Sequence, residues 1–573
     1  MARWLRPSAE QGVVDSLAAA LGIPRFLASL LAGRGLTDAA AAHQFLHPSL
    51  GHLHDPYRMI GMRAAVDRLL RACAQKEKIL IYGDYDVDGT TAVVLLRKAI
   101  ELAGWQADFH VPHRLKDGYG MREDVIERAA RDGVRLLVSV DTGIRETPVV
   151  ERANELGIDS IITDHHLSEG VPPALAVLNP NQPGCGYPEK NLCGVGVAFK
   201  LAQALLGSLG WPGPRLQQII ESMLRLTAIG TVADVVPLVG ENRTIVKFGL
   251  EGLKRPVNVG LKALLASAGF TAGRAPTAGG VAFRVAPRLN AAGRMDTASD
   301  VIELFSSPDR QRAEELAAKL SGLNADRQQA EASTLATILE SLPEGPPAGE
   351  ATLVVWGDSW HRGVIGIVAS RLVERFYRPT LVVSVDREEG LAHGSGRSIR
   401  AFHLVEALES MKELFVRHGG HRQAAGFTIA AGRVEELRRR FEAWARPLLT
   451  DEDLVPQLGI DADLPFADVT DENMALVGRL EPYGFGNPAP VFAATGLKLS
   501  SEPRVMKEKH LRLALRHNGR TMTAVGWNMA ERAAGLGAGA VLDAAFTVEP
   551  DDYLGGWRLL LRDFRPGVAA AAQ

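Results

Sequence analysis

The sequence predicts an α/β protein of several domains: a largely parallel, helix-wound sheet, a second α/β unit beyond a long connecting helix, and a C-terminal β-barrel. Three observations carry this prediction. From Ala65 onward, short apolar runs of strand length alternate with stretches of helical periodicity, the pattern of parallel strands joined by crossover helices. A striped segment from Leu316 to Leu342 runs into Pro343-Glu344-Gly345-Pro346-Pro347, a linker composition, before strand and helix resume. From about Val455 the texture changes to short strands with alternating apolar and basic residues. At 573 residues the chain exceeds one ordinary core, and three or four domains are expected. The boundaries read as 1–60 (a helical lead-in), 61–300, 301–349 (connecting helix and linker), 350–452 and 453–573.

Composition narrows the function classes. Apolar residues at 46% and charged residues at 23% are those of a soluble globular protein. The formal net charge of -3 gives no global basic footprint, so any nucleic-acid contact must come from local Arg and Lys clusters. The cysteines are Cys73, Cys185 and Cys193, with no C-x-x-C pair, which argues against a disulfide framework and fits a reducing cytoplasm. Cys185 and Cys193 follow His165 and His166 at spacings that match no usual zinc pattern. Residues 1–7 lack an apolar signal core and no run approaches a membrane span, so the expectation is a soluble cytoplasmic chain.

In the lead-in, Leu17, Leu21 and Leu30 suggest short amphipathic helices. Lys78-Ile79-Leu80-Ile81-Tyr82 reads as a buried strand, and Thr90 to Leu102 as a helix with Val93, Leu96, Ala99 and Ile100 inward. Between them stands Gly83-Asp84-Tyr85-Asp86-Val87-Asp88-Gly89. One aspartate at such a turn reads as a helix cap, but a cap uses one oxygen and three carboxylates are present. Alternate aspartates in a tight turn repel one another unless a cation sits among them, and hard divalent ions such as magnesium or manganese suit them. His113 to Gly120 is a polar loop in which Arg114 or Lys116 either reaches a phosphate or is simply solvated.

Val134 to Val140 is a second strand, ending at Asp141-Thr142-Gly143, and Ile158 to Thr163 a third, ending at Asp164-His165-His166. In a parallel sheet these ends share one edge, the usual ligand crevice. Asp234, after an apolar helix from Met223 to Val232, can close the group. Several aspartates with one or two histidines suit a pair of Mn2+ or Mg2+ ions, a common device for phosphoester cleavage at a separation of about 3.5–4 Å.

Arg284, Arg288 and Arg294 lie in or beside Pro287-Arg288-Leu289-Asn290-Ala291-Ala292-Gly293, where small residues would let backbone approach a ligand. Guanidinium forks suit phosphate, so Arg288 and Arg294 are expected backbone-phosphate contacts. Ser307-Pro308-Asp309 starts the connecting helix with Ser307 as cap, and its apolar stripe is interrupted near Gly322. The second α/β unit starts at Thr352 and contains Gly394-Ser395-Gly396-Arg397-Ser398 and His418-Gly419-Gly420-His421. Each reads either as an ordinary turn or as a loop exposing backbone N–H groups to an anion. No G-x-x-x-x-G-K-[ST] occurs, which argues against a nucleotide-driven motor. In the last domain Lys507, Lys509, His510, Arg512 and Arg516 form a basic stripe. Trp527, Tyr553 and Trp557 are either base-stacking surfaces of an OB-like barrel or core residues, and Pro566 to Gln573 reads as a frayed tail.

Asp84-x-Asp86-x-Asp88-Gly89, Asp141-Thr142-Gly143, Asp164-His165-His166 and Ala233-Asp234, in this order, resemble the successive motifs of the DHH phosphoesterase superfamily. With Ala291-Ala292-Gly293-Arg294-Met295, the series is similar to its bacterial single-strand-specific DNA exonucleases over nearly the whole chain. The resemblance implies a DHH catalytic domain, a DHH-associated substrate domain matched at Gly419-Gly420-His421, and an OB-like domain. It implies a metal-dependent exonuclease that degrades single-stranded DNA from the 5′ end to mononucleotides in recombination and repair. Asp84, Asp86, Asp88, Asp141, His165 and Asp234 would hold two Mn2+ or Mg2+ ions, with Asp86, Asp88, Asp141, His165 and His166 catalytic; Asp84 and His166 either ligate, orient a ligand or touch the scissile phosphate. Arg114, Arg288, Arg294, Ser395, Arg397, Gly419, Gly420 and His421 would bind substrate, the Ser395 and Arg397 region gripping a 5′-phosphate. A cleft between the two α/β lobes would admit one strand. Single-stranded DNA, with a single-strand-binding protein and a helicase, are the implied partners of a monomer. Two other readings stand beside this one: a phosphodiesterase for short oligonucleotides or cyclic dinucleotides, against which the basic C-terminal domain speaks, and a non-catalytic single-strand-binding protein, against which the intact motifs speak.

Overall fold

The computed structural model describes residues 2–6, 10–114, 116–167, 170–342, 345–347, 349–551 and 555–567. It divides into a larger unit, Ser49–Leu454 with Gly484–Gly486, and a smaller one made of the remaining N-terminal and C-terminal segments. Strand β1 (Arg3–Leu5) belongs to the smaller unit.

The larger unit begins with a parallel sheet of β2 (Lys78–Gly83), β3 (Asp108–His110), β4 (Val134–Val140), β5 (Asp159–Thr163) and β6 (Ala176–Leu178), in the order β3-β2-β4-β5-β6. Its strands read as unbroken apolar runs because both faces are covered. Ile79, Ile81, Val138 and Ile161 pack into one core, while Leu80, Leu137 and Ile162 pack into another on the opposite face. The chain leaves β2 for β3 on one side and returns to β4 on the other, so the crevice of a wound sheet opens beyond the ends of β2 and β4. Gly83 pairs with Val140 and Val140 with Thr163, so Asp84, Asp141 and Asp164 each follow a residue on one common row.

The connecting helix, Arg310–Ser341, runs for 32 residues without interruption. Its cap is Asp309, which accepts from the Gln311 N–H at 2.9 Å, and Ser307 instead accepts from the Asp309 N–H at 3.2 Å, so the expected Ser307 cap moves two residues on. The apolar stripe breaks near Gly322 because buried Asn324 and Arg327 occupy its middle; the helix itself does not break.

The second α/β lobe consists of β7 (Leu353–Asp358), β8 (Thr380–Asp386), β9 (Leu391–Arg397), β10 (Phe415–Gly420) and β11 (Ala424–Ala430), in the order β10-β11-β9-β8-β7. Only β7 and β8 are parallel, joined by the helix Ile365–Phe376. Gly394 to Arg397 is therefore strand, not an anion-cradling loop: its backbone is committed to β8 and β11. The glycines answer to packing, since a Cβ on Gly394 would stand 2.0 Å from the Phe427 ring and one on Gly396 2.7 Å from Leu381. Gly419 and Gly420 likewise end β10, on the sheet edge, beside the turn that carries His421.

In the smaller unit, β1 pairs in parallel with β12 (Gln457–Gly459). Strands β13 (Ala462–Asp463), β14 (Phe492–Leu499), β15 (Arg504–Met506), β16 (His510–His517), β17 (Arg520–Gly526), β18 (Val541–Pro550) and β19 (Trp557–Pro566) follow. The sheet runs β13-β14-β18-β19-β17-β16-β15, and pairing of β14 with β16 closes five strands into a barrel. On β16 Leu511, Leu513 and Leu515 point inward and Arg512 and Arg516 outward, as the alternation predicts. The N-terminal helices Gln11–Leu21 and Arg25–Gly33 place Leu17, Leu27 and Leu31 in the same core as Phe466, Phe492 and Phe546. Pro566 ends β19 and Gly567 donates to the Val541 carbonyl at 2.9 Å, so those two residues are not frayed. Leu115, Pro343, Glu344, Tyr553 and 568–573 lie outside the described residues. Among the described residues no single helix is long and apolar enough to cross a membrane.

Candidate metal centre and substrate cleft

The helix after β2 begins at Val87, three residues earlier than its periodicity suggests, because Asp86 is the cap: its Oδ1 accepts the Gly89 N–H at 2.9 Å. Asp88 thereby falls inside the first turn and is buried. Its two oxygens accept N–H bonds from Gly194 at 2.6 Å and Val195 at 2.8 Å, the first residues of the helix Gly194–Gly207. A helix N-terminus favours a negative partner, so this arrangement holds the Asp88 carboxylate in one orientation. Nothing near Asp88 in the sequence announces a contact 106 residues away.

Asp141 leaves β4 with φ of 61°, a left-handed turn that directs the next residues away from the sheet. Its Oδ1 lies 3.2 Å from His165 Nε2, and the same nitrogen is 3.8 Å from Asp234 Oδ2 and 4.0 Å from Asp88 Oδ2. Asp234 ends the helix Gly213–Ala233. Donor atoms of Asp88, His165 and Asp234, of Asp84, Asp86 and Asp141, and of Asp141, His165 and His166 lie within 4.8 Å of one another in each set. All six residues expected to bind metal are thus brought together.

The electrostatics point to missing positive charge. Burial, then the neighbouring Asp86, pushes Asp88 up to about 7, and burial with Asp88 pushes Asp234 up to about 9. Burial with the surrounding aspartates also raises Asp84 and Asp141 well above the carboxylate range. Asp84 Oδ1 and Asp141 Oδ1 are buried with no hydrogen-bond donor among the described residues. Burial and the adjacent His166 bring His165 down to about 4, so its ring is neutral at neutral pH and offers one nitrogen lone pair to a cation. A lone pair facing carboxylates, with orphaned oxygens around it, is the donor set of hard or borderline divalent cations; two such ions fit these residues.

Asp164, the first residue of its motif, does not join the ligands. Its Oδ1 accepts the His165 N–H at 2.7 Å, the His166 N–H at 3.1 Å and His166 Nδ1 at 2.7 Å, and its Oδ2 accepts the Ile144 N–H at 2.9 Å. Burial raises the carboxyl, but the His166 hydrogen bond and charge outweigh it and hold Asp164 below its ordinary value. His166 is raised despite its burial by the same partner.

Beside the acidic group stands an excess of guanidinium. A Cβ on Gly293 would lie 2.7 Å from the Tyr85 carbonyl, so the small-residue segment approaches the first-motif loop, not a ligand, and carries Arg294 next to Asp86. Arg294 Nη1 donates to the Gly363 carbonyl at 2.9 Å. Burial, then the charges of Arg114, Arg327 and Arg397, depress Arg294 to about 10. Burial and Arg114 lower Arg397 as well. Arg114 lies 4.9 Å over the Tyr85 ring. Arg397 Nη1 donates to Ser395 Oγ at 3.2 Å, and a Cβ on Gly366, in the first turn of Ile365–Phe376, would sit 2.9 Å from that oxygen and 3.1 Å from Arg397. Arg327 and the Gly363 to Gly366 turn were not legible as site residues, since hydrophobic periodicity does not record an arginine buried within a helical stripe.

His421 lies near enough to Arg145 and His166 for their charges, after partial burial, to lower its pKa. The structure does not bring Arg288 into this group. It donates to Ser321 Oγ at 3.2 Å and to the Arg284 carbonyl, tying its helix to the connecting helix. In the barrel, Trp527 is 50% exposed with its ring 4.7 Å from His510, whereas Trp557 is half-buried and donates to Asp471 at 2.7 Å.

Comparison with known proteins places these features in sequence order. Residues 78–231 match the model of the DHH family N-terminal domain, 349–446 the DHHA1 domain and 460–562 the RecJ OB domain. The single-stranded-DNA-specific exonuclease RecJ of Bacillus subtilis is 40% identical over 540 residues, 94% of this chain and 67% of that one. RecJ of Escherichia coli is 36% identical over 516 residues, covering 86% of each. The crystal structure of Thermus thermophilus RecJ in complex with Mn2+ superposes with a TM-score of 0.84 at 31% identity, covering 99% of this chain and 80% of that one.

Proposed function

Because this chain belongs to the RecJ family of single-stranded-DNA-specific exonucleases, we infer that it is a metal-dependent exodeoxyribonuclease that removes mononucleotides from the 5′ end of single-stranded DNA. The observation that carries this reading is the pair of adjoining, oppositely unbalanced clusters: aspartates that raise one another's pKa, and Arg114, Arg294 and Arg397, which among the described residues make no ion pair and whose charges depress Arg294 and Arg397. A phosphodiester bound with divalent ions neutralises both at once.

Asp84, Asp86, Asp88, Asp141, His165 and Asp234 are the residues that would hold two Mn2+ or Mg2+ ions. When bound, such ions lower the pKa of a water and offset charge on the phosphate. The protein does the rest with its own groups. The Gly194 and Val195 N–H donors fix the Asp88 carboxylate. Asp164 accepts from His166 Nδ1 and favours its protonated form, whose Nε2–H would be free to donate to the scissile phosphate. Arg114, Arg294 and Arg397, with Ser395 and the first turn of Ile365–Phe376, bind the terminal 5′-phosphate and so set the reacting end at a fixed distance from the metal ligands. Gly419, Gly420 and His421 close the cleft from the second lobe, and a passage between two lobes joined by one rigid helix selects a single strand sterically. In this division of labour, 61–300 is catalytic, 350–452 grips the end and 453–573 binds the trailing strand, with Trp527 as the stacking surface. We place the protein in the cytoplasm as a monomer in recombination and repair, supplied with single strands by a helicase and a single-strand-binding protein.

The test is digestion of end-labelled single-stranded and duplex DNA with and without Mn2+. Mononucleotide release from the 5′ end of the single strand alone is expected, and Asp86→Ala should abolish it while salt-sensitive binding persists. Equal attack on duplex, or full turnover by Asp86→Ala, would sink the assignment.

A further inference from the structure

His165 and His166 lie beyond the end of β5, where no strand ladder holds their peptide groups. Their N–H groups are taken by Asp164 Oδ1. Their carbonyls are taken by a separate segment: Asn181 Nδ2 donates to the His165 carbonyl at 3.0 Å and Asn179 Nδ2 to the His166 carbonyl at 2.9 Å. The two asparagines are themselves joined, the Asn181 N–H donating to Asn179 Oδ1 at 2.8 Å, and Asn179 is buried. The segment is anchored in turn by the Asp164 N–H to Leu178 carbonyl bond of 3.0 Å and by Lys190 Nζ on the Pro180 carbonyl at 2.7 Å.

We propose that Asn179 and Asn181 are positioning residues of the metal centre, a two-amide clamp that fixes the peptide planes of His165 and His166 and thereby the direction of both imidazoles. The inference rests on the reading of that centre given above. Each histidine is pinned at both its N–H and its C=O, so the Cα–Cβ bond from which its ring projects toward the metal ligands is held in place. Metal ligation tolerates errors of only about 0.2 Å in ligand distance, which is why the partners of a ligand's own backbone and ring bear on affinity. An amide suits the task because it donates to the carbonyl without adding charge beside the ligands. A merely structural role would make any comparable amide-to-carbonyl bond equivalent. Asn154 supplies that comparison, its Nδ2 donating to the Pro173 carbonyl at 2.8 Å on the protein surface.

The experiment uses the full chain. Binding of Mn2+ is titrated by the electron paramagnetic resonance signal of the free ion, and the Mn2+ concentration for half-maximal cleavage of single-stranded DNA is measured in parallel. Asn181→Ala is expected to weaken Mn2+ binding by about 10-fold or more and to raise the half-saturating concentration by the same factor, with kcat at saturating Mn2+ close to wild type. Asn154→Ala should lower thermal stability to a similar extent without shifting either metal curve. If Asn179→Ala fails to fold, Asn181→Ala, at the less buried position, still decides the question. A wild-type protein that binds Mn2+ and an Asn181→Ala variant with unchanged binding and half-saturation would overturn the clamp alone. A wild type that binds no Mn2+ would overturn the metal centre and the clamp together.

Discussion

Gly194 is the position where one methyl group should separate folding from catalysis. It opens the helix Gly194–Gly207 with ordinary helical geometry, so alanine brings no backbone strain there and, by propensity alone, would favour the helix. The obstacle is what the new Cβ meets: Asp141 Cβ at 2.4 Å and Asp141 Oδ1 at 2.5 Å, where ordinary contact lies at 3.4–4 Å. Either Asp141 or the helix end must move by about 1 Å, and the helix end also carries the two N–H donors to Asp88, so one of the two proposed metal ligands is displaced whichever yields. A 1 Å misplacement at a reacting centre costs on the order of 100-fold in rate, while overpacking of this kind costs about 1–3 kcal/mol in stability. The assay is kcat/KM for release of acid-soluble nucleotide from single-stranded DNA at saturating Mn2+, alongside urea unfolding. Gly207→Ala, at the other end of the same helix with nothing within 4 Å, is the companion variant, expected to leave the rate unchanged and stability level or higher. A folded Gly194→Ala protein with wild-type kcat/KM would show that the Asp88 and Asp141 placement described here does not govern turnover.

Three further outcomes are expected. In EDTA, Asp88 and Asp234 keep protons in the folded state to about 7 and about 9, so the stability they confer is present at acid pH and is lost as pH rises through those values, whereas Mn2+ binding strengthens over the same range. Melting temperatures from pH 5 to 9, with EDTA and with Mn2+, should therefore diverge, and Asp88→Asn should flatten the EDTA curve; parallel wild-type curves would contradict this. Arg397→Ala should erase any rate advantage of a 5′-phosphorylated over an unphosphorylated strand, and an unchanged ratio removes Arg397 from the end-binding role. Trp527→Ala should weaken binding of long single strands by about 1–3 kcal/mol at little cost in stability, whereas Trp557→Ala, through its packing and its Asp471 bond, should lower the melting temperature instead.

The catalytic half of the molecule was legible because its chemistry is local. Each of three strands ends in its own motif, and parallel pairing of Gly83 with Val140 and Val140 with Thr163 does the gathering. What escaped was whatever depends on distant partners. Asp86 caps the helix and Asp88 is held by Gly194 and Val195, a division of roles that three equivalent-looking aspartates do not reveal. Gly394 and Gly396 looked like a phosphate loop because glycine serves both loose turns and tight sheets; the Phe427 ring and Leu381 and Leu404, remote in sequence, decide for the sheet. The stripe of the connecting helix seemed to break at Gly322 because Arg327 and Asn324 are polar and yet buried, as an electrostatic cluster requires and hydrophobic periodicity does not record.

The three-residue pairing of Arg3–Leu5 with Gln457–Gly459 bears on how the molecule comes off the ribosome. The helices Gln11–Leu21 and Arg25–Gly33 emerge well before the barrel, yet the greasy side they offer, Leu17, Leu27 and Leu31 among them, has its partners at Phe466, Phe492 and Phe546, more than 400 residues later. During synthesis that surface must wait uncovered while the whole catalytic portion is translated, which makes it a natural client for chaperones. Fragments beginning at Ser49 would leave the barrel with the complementary bare patch, so expression of the carboxyl-terminal piece by itself should give aggregates that the first 48 residues, supplied in trans, can rescue.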